Sequence, residues 1–222
     1  NNKDIPYFNF SVTYQNHGPY DENYYEENQF IKNKDGYDKV TFNMFNNYLA
    51  GINRTDQAIE MLIEYFRNQD EPTVVLLFGD HKPWLGNNDI GYKMMDINTE
   101  FSSEEGFLNY YETPFVIWGN DAAKNILQKD LVGKVEDISP NFLMAELFSQ
   151  LGWEGNQYMQ YIQELKSYYN VNHKVYFKQD NEYTMELSEE NKKRYDEFLN
   201  VEYYYILIFF GNNSLCTEHS GM

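Results

Sequence analysis

One cysteine, Cys216, stands near the end of a 222-residue chain. No disulfide can close within the chain, and no cysteine cluster can hold a metal. This scarcity leaves the outside of a Gram-positive-type cell open, because many proteins there lack disulfides. No run of about 18 apolar residues is present, so nothing reads as a membrane-spanning helix, and no signal peptide is recognisable. There is no initiator methionine, and Asn1-Asn2-Lys3-Asp4 read as linker, so the chain is expected to be part of a longer protein. Basic residues are scarce: 17 Lys and Arg stand against 35 Asp and Glu, for a formal charge of -18. That balance argues against nucleic acid, and against docking on anionic lipid through charge alone. It suits a soluble surface, that of a secreted protein included. No internal repeat is evident.

Aromatics are what the chain has in excess, with 21 tyrosines, 16 phenylalanines and an aromatic share of 18 %. The tyrosine clusters, Tyr24-Tyr25, Tyr110-Tyr111, Tyr168-Tyr169 and residues 203–205, suit surfaces that face carbohydrate or lipid headgroups. Taken singly, each is also explained as a half-buried ring with a wet hydroxyl.

The central stretch is Thr73-Val74-Val75-Leu76-Leu77-Phe78-Gly79-Asp80-His81. Its apolar run reads as a strand buried on both faces, as in a parallel sheet covered by helices. An Asp-His pair follows at once, and ligands of open α/β sheets collect beyond the carboxyl ends of strands. Asp80 and His81 are therefore candidates for holding a divalent metal. The alternative is that Asp80 caps the next segment and His81 packs against it.

Residues 5–14 read as a strand rich in aromatic and β-branched residues. It ends in the loop Gln15-Asn16-His17-Gly18-Pro19-Tyr20, which puts a second histidine past a second strand tip. Residues 21–39 read as a polar, tyrosine-rich loop that covers something. Thr41 opens a long helix, with Phe42, Phe45, Leu49, Ile52, Ile59, Leu62, Ile63 and Phe66 at helical spacing. Gly51 is a weak point within it. Asp56 lies near its apolar face and reads as a hydrogen-bonding partner of a neighbouring loop or as solvated, not as catalytic. Strand, helix and strand make a βαβ unit, so the expected class is α/β with a mostly parallel sheet.

Thr113-Pro114-Phe115-Val116-Ile117-Trp118-Gly119 reads as another buried strand with proline at its start. Ser139 and Pro140 read as N-cap and first residue of a helix with Phe142, Leu143, Leu147, Phe148 and Leu151 on its apolar face. Gly152 ends it. Residues 158–169 read as helical. From Lys174 the character changes. Residues 175–177 and 183–185 form an expected hairpin across Gln179-Asp180-Asn181, and Ser188 opens a charged helix. An aromatic apolar run covers residues 203–211, and the tail 212–222 is expected to be loose. The expected organisation is thus residues 1–173, a small α+β subregion of the same domain at 174–211, and the tail.

Four ordered blocks carry a family resemblance. They are Asn16-His17-Gly18-Pro19-Tyr20; Tyr48-Leu49-Ala50-Gly51-Ile52-Asn53-Arg54-Thr55-Asp56-Gln57-Ala58-Ile59; Phe78-Gly79-Asp80-His81-Lys82-Pro83-Trp84-Leu85-Gly86; and Thr113-Pro114-Phe115-Val116-Ile117-Trp118. Together they resemble sulfatase-like phosphotransferases of the alkaline phosphatase superfamily, and most closely the lipoteichoic acid synthase and phosphoglycerol transferase family. Residues 205–211 are similar to the aromatic segment that closes such domains. The resemblance runs to about Gly211 and corresponds to the C-terminal portion of the catalytic domain, part of an α/β/α sandwich.

The resemblance implies an enzyme on the extracellular face of a bacterial membrane, anchored by N-terminal transmembrane helices outside this chain. It implies a divalent metal, Mn²⁺ foremost and Mg²⁺ or Zn²⁺ as alternatives, held in part by Asp80 and His81. The metal would polarise phosphoryl oxygens and lower the nucleophile's pKa. It implies that His17 contacts the transferred phosphoglycerol. The donor would be a lipid headgroup such as that of phosphatidylglycerol, and the acceptor an envelope polymer or glycan. The family's nucleophilic threonine and its further acidic ligand lie upstream of the block that begins near Ile5. No residue here matches them: Thr13 and Thr55 fall on other elements, and Asp56 belongs to the helix block. The site therefore needs the upstream half of its own domain as partner, and the chain by itself is expected to be inactive. His173 and His219 match no block and read as surface residues. The alternatives are a sulfatase or phosphodiesterase of the same superfamily, marked by a different upstream nucleophile, and a non-catalytic cell-surface binding module that kept the fold.

Overall fold

The computed structural model describes residues 5–214, with side chains described to residue 208. Asn1-Asn2-Lys3-Asp4, Cys216, His219 and most of the tail expected at 212–222 lie outside the described residues. The chain divides into two compact units, one ending at Leu131 and one beginning at Val132. The division comes well before the change of composition at Lys174.

In the first unit, helix α1 (Lys39–Arg67) is the long helix expected from Thr41. It starts two residues earlier because Asp38 is its N-cap, accepting from the amide and hydroxyl of Thr41 at 2.8 Å each. The apolar stripe is covered along the first half only. Phe42, Met44 and Ala50 are buried, whereas Ile52 and Leu62 are 40 % exposed.

Strand β1 (Val74–Phe78) and strand β2 (Phe115–Gly119) are both where the apolar runs place them. Between them come α2 (Ile90–Met94) and α3 (Glu104–Tyr111), and after them α4 (Asp121–Leu127). The strands pair antiparallel in a two-stranded sheet, Val74 opposite Gly119 and Phe78 opposite Phe115. Among the described residues the expected mostly parallel sheet does not form, and every strand pair is antiparallel. Residues 5–14, the strand that was to begin the βαβ unit, are in no ladder and are exposed throughout. A strand needs a neighbour for its amides and carbonyls, and a βαβ crossover needs two strands. Composition marks strand-forming segments but not which segment lies beside which. Nor is β1 buried on both faces: Val74 to Leu77 are half-buried and Phe78 is exposed.

The second unit packs α5 (Leu143–Leu151), α6 (Gln157–Lys166) and α7 (Glu189–Ser214) with a small antiparallel sheet. That sheet is β3 (Val171–Asn172), β4 (Phe177–Gln179) and β5 (Glu182–Thr184). Phe142, Ala145, Ile162, Leu165, Tyr169 and Phe198 form its core. The hairpin crosses at the expected place, with Asp180 and Asn181 both at positive φ, the conformation a two-residue turn requires. Its strands are shifted a little from 175–177 and 183–185.

Ser139 and Pro140 hold the expected N-cap and first positions, but of a 3₁₀ turn (Pro140–Phe142) that runs into α5, and the Ser139 side chain makes no capping bond. The Ser139 hydroxyl accepts from the Asn172 amide at 2.8 Å. Gly152 ends α5 in the left-handed region, as expected. The Ser188 helix continues as α7 through the aromatic run at 203–208, whose side chains are exposed. Among the described residues, no helix is long and apolar enough to cross a membrane.

Three lysine–carboxylate contacts centred on Lys178 and Lys166 tie the second unit together. Lys178, 6 % exposed, meets Glu136 and Asp137 at 2.9 Å each, and Lys166 meets the buried Glu146. Burial alone would raise Asp137, but the hydrogen bond and charge of Lys178, with the Tyr183 hydroxyl, bring it below its ordinary range. Glu146 is likewise brought down against its burial, by Gln150 and Lys166.

Candidate functional site

The loop carrying His17 is seated on α1, and Gly51 explains how. A Cβ at Gly51 would lie 2.7 Å from Asn16 Oδ1 and would push that side chain aside, so the glycine leaves room for the loop's present seat. The side-chain amides of Gln15 and Asn16 both donate to Thr55 Oγ1 at 2.6 Å, one helical turn further on. The Tyr20 hydroxyl closes the loop by donating to the Asn16 carbonyl at 2.6 Å. Burial, and then the neighbouring Tyr48, push the Tyr20 hydroxyl up to about 12, so it stays a neutral donor. The weak point in the helix is thus a docking notch. The residue that bonds the neighbouring loop is Thr55, while Asp56 is exposed.

The segment 21–31 is held on the same helix by three asparagines. Asn46, fully buried, accepts from the amides of Phe30 and Ile31 at 2.8 and 3.0 Å. Asn43 donates to the Glu22 carbonyl, and Asn47 to those of Asp21 and Asn23. The sequence reading passed over these residues. Their signal was polar side chains at positions 43, 46 and 47 of an otherwise apolar stripe, a spacing that shares one helix face.

His81 comes off the end of β1. Thr113 Oγ1 donates to the Gly79 carbonyl at 2.7 Å, and the Gly79 amide donates to Pro114 O at 3.1 Å, so the pairing continues past the ladder. The next loop is anchored by Leu85, 2 % exposed in a cluster with Met44 of α1 and Tyr92 of α2. The Tyr92 hydroxyl donates to Pro83 O at 2.7 Å. Both histidine loops therefore rest on α1.

The structure brings the three candidates together. The rings of His17 and His81 meet edge to face with centroids 6.1 Å apart, and Tyr14 stacks on His17 at 5.0 Å. His81 Nε2 lies 3.7 Å from Asp80 Oδ2, while Asp80 Oδ1 accepts from the His81 amide at 2.9 Å. His17 Nδ1 is 2.7 Å from Gly18 O, and His81 Nδ1 is 2.7 Å from Lys82 O. A carbonyl can only accept, so Nδ1 is the donor in both rings, and in a neutral ring Nε2 is then the free acceptor. That is the tautomer a metal ligand or a proton acceptor requires.

Asp80 and His81 are exposed, at 74 % and 60 % of their side-chain surface. Among the described residues, no three of His, Cys, Asp and Glu are gathered so as to hold a metal by themselves. One carboxylate and one imidazole nitrogen are donors that suit Mn²⁺, Mg²⁺ or Zn²⁺, and they fit one side of such a site. His173 is elsewhere, in the second unit. It is half-buried, not on the surface, and its Nδ1 accepts from the Val175 amide at 3.2 Å.

Comparison with known proteins gives the family. The sulfatase family model matches residues 1–153. A protein of Rhizobium meliloti (strain 1021), named for cyclic beta-1,2-glucan modification, is 31 % identical over 169 residues. The aligned part covers 75 % of this chain and 25 % of that protein, so the chain spans about a quarter of the relative's length. No solved structure matches. With the family model covering more than half of its length, including His17, Asp80 and His81, the chain belongs to the sulfatase family.

Proposed function

We propose that this chain is the metal- and phosphate-facing part of a sulfatase-family phosphotransferase. It moves phosphoglycerol or a related headgroup from a lipid phosphodiester to an envelope glycan or polymer, on the outer face of a bacterial membrane. The observation that carries the reading is the meeting of His17 and His81 beside Asp80. Two loops more than sixty positions apart bring two imidazole rings into edge-to-face contact, one of them beside a carboxylate. The name of the Rhizobium relative supports a glucan as acceptor.

Asp80 and His81 Nε2 would hold a divalent cation, which when bound supplies positive charge to the phosphoryl oxygens and acidifies the attacking hydroxyl. His17, with Nδ1 fixed on Gly18 O, offers Nε2. Neutral, it accepts a proton from an attacking hydroxyl; protonated, it donates to an equatorial phosphate oxygen or to the leaving group. The nucleophile is proposed to be a threonine of the upstream half of the domain. The exposure of the three residues accords with their facing a segment outside this chain.

The test uses the full-length parent carrying Asp80→Ala or His81→Ala. Bound metal measured on the purified protein should fall in both, and headgroup transfer should drop by at least a hundredfold. Unchanged metal and unchanged transfer in both variants would sink the proposal. Release of the headgroup to water without transfer would move the protein to the hydrolase alternative.

A further inference from the structure

The second unit holds a groove of about 950 Å³ between the start of α6 and the C-terminal half of α7. Its walls include Tyr158, Tyr161, Tyr204 and Tyr205, with Asn156 and Asn200 among them. Tyr158 and Tyr205 stack at 4.7 Å with their planes 20° apart, which makes a broad aromatic face. Tyr204 is 66 % exposed and Tyr205 44 %. Tyr161 carries a buried hydroxyl with no protein partner.

The lining is selective in charge. The chain carries -18, yet none of the residues that line the groove is charged. The charges felt by its tyrosines are carboxylates, Glu202 at Tyr158 and Glu197 and Glu164 at Tyr161. A phosphate or another anion would meet no cation in the lining and would be repelled by these groups. Asn156 Oδ1 already accepts from the Met159 amide and Asn200 Nδ2 donates to the Asp196 carbonyl. A purely apolar occupant would make no use of the polar groups these two side chains still have to offer, Nδ2 of Asn156 and Oδ1 of Asn200. The ligand that fits is neutral and polyhydroxylated. Sugar rings present C–H faces that pack on tyrosine rings, and hydroxyls that pair with side-chain amides and phenols.

We infer that this groove binds a glycan, as a site for the acceptor chain apart from the histidine site. The inference rests on the proposed function for the choice of a glucan as that acceptor, while the groove's chemistry stands independently of it. Nothing in the histidine loops contributes to the groove.

The test titrates the full chain with a linear β-1,2-linked glucose oligosaccharide, read by calorimetry and intrinsic fluorescence, with glycerol phosphate as the anionic control. Saturable binding is expected for the oligosaccharide alone. Tyr204→Ala and Tyr205→Ala should each weaken it by about tenfold, the scale of one lost aromatic contact. Both residues are exposed, so the fold should survive, and unchanged circular dichroism checks this. Absence of saturable binding, or an affinity indifferent to both substitutions, overturns the inference. So does sedimentation showing a dimer that Tyr204→Ala dissolves, because the groove would then be a contact between copies.

In the full-length parent, the groove variants should raise the acceptor KM with kcat unchanged, while Asp80→Ala leaves glycan affinity as it was. Transfer that depends on Asp80 and His81 but ignores the groove would remove this inference and keep the proposed function. Glycan bound in the groove of a protein that transfers nothing would do the reverse.

Discussion

The two units are held together by different means. In the first, one helix does most of the organising, and it does so through hydrogen bonds. Asn43, Asn46, Asn47 and Thr55 of α1 pin segments that have almost no regular structure of their own. In the second, three helices close on an aromatic and aliphatic core, and partly buried ion pairs tie the small sheet and helices at its margin. The difference fits the work proposed for each. A site made from loops needs backbone held at particular points, which directional bonds do well. A stable support needs buried apolar area, which carries no direction.

The largest test of this contrast is Phe142→Ala. This ring is fully buried, and its removal should cost the second unit about 3–5 kcal/mol, measured by denaturant unfolding. Asn46→Ala should come next, at about 2 kcal/mol, because two backbone amides lose their acceptor. Its signature is local: hydrogen exchange should quicken at Phe30 and Ile31 and stay unchanged in the α5 and α6 helices. Equal exchange throughout the chain would erase the contrast between the units.

Acid should separate the units as well. Asp137 and Glu146 titrate below their ordinary range in the folded chain, after burial is outweighed by Lys178 and Lys166 with their hydrogen-bonding neighbours. A carboxylate lowered on folding adds stability that is whole above its unfolded pKa and is lost as pH falls through the folded one. Melting temperature of the second unit should therefore decline as pH drops below about 4. Asp137→Asn and Glu146→Gln should each flatten that decline. A profile unaltered by either would show that these pairs contribute nothing.

Gly51→Ala sets two small effects against each other. Alanine favours the helix by up to about 1 kcal/mol, while its methyl displaces Asn16. Little change in stability is expected, together with a shifted His17 ring resonance and reduced transfer by the parent. An unmoved His17 would show that the notch is not what seats the loop. Smallest is Glu190→Ala, which breaks a solvent-exposed pair with Arg194 and should alter stability by no more than about 0.5 kcal/mol.

Several elements were legible in the residues. β1 and β2 follow from their apolar runs, α1 from its periodicity, the hairpin from Asp180-Asn181, and the C-terminal end of α5 from Gly152. These are local properties: a period, a turn conformation, a missing Cβ. The strand direction was misread because pairing depends on what lies alongside, and residues 5–14 pair with no strand among the described residues. The role of Gly51 was misread for a related reason. A glycine inside a helix looks like lost propensity until Asn16, in a loop much earlier in the chain, is seen against it. The asparagines on α1 look like interruptions of an apolar stripe until their carbonyl and amide partners are in place.

By itself the sequence determined the residue types of the site: a carboxylate and an imidazole after one apolar strand, and another imidazole in a loop rich in turn residues. It also determined that no disulfide within this chain and no cysteine cluster of its own could take part. Only the tertiary structure decided that His17 and His81 meet at 6.1 Å, and that a carbonyl fixes Nδ1 of each and leaves Nε2 to act. It alone decided that the excess tyrosine of α6 and α7 gathers into one uncharged groove. Residue chemistry is carried by the side chain and can be read one position at a time. Convergence of distant loops depends on how helices and strands pack, and no single stretch of sequence contains that.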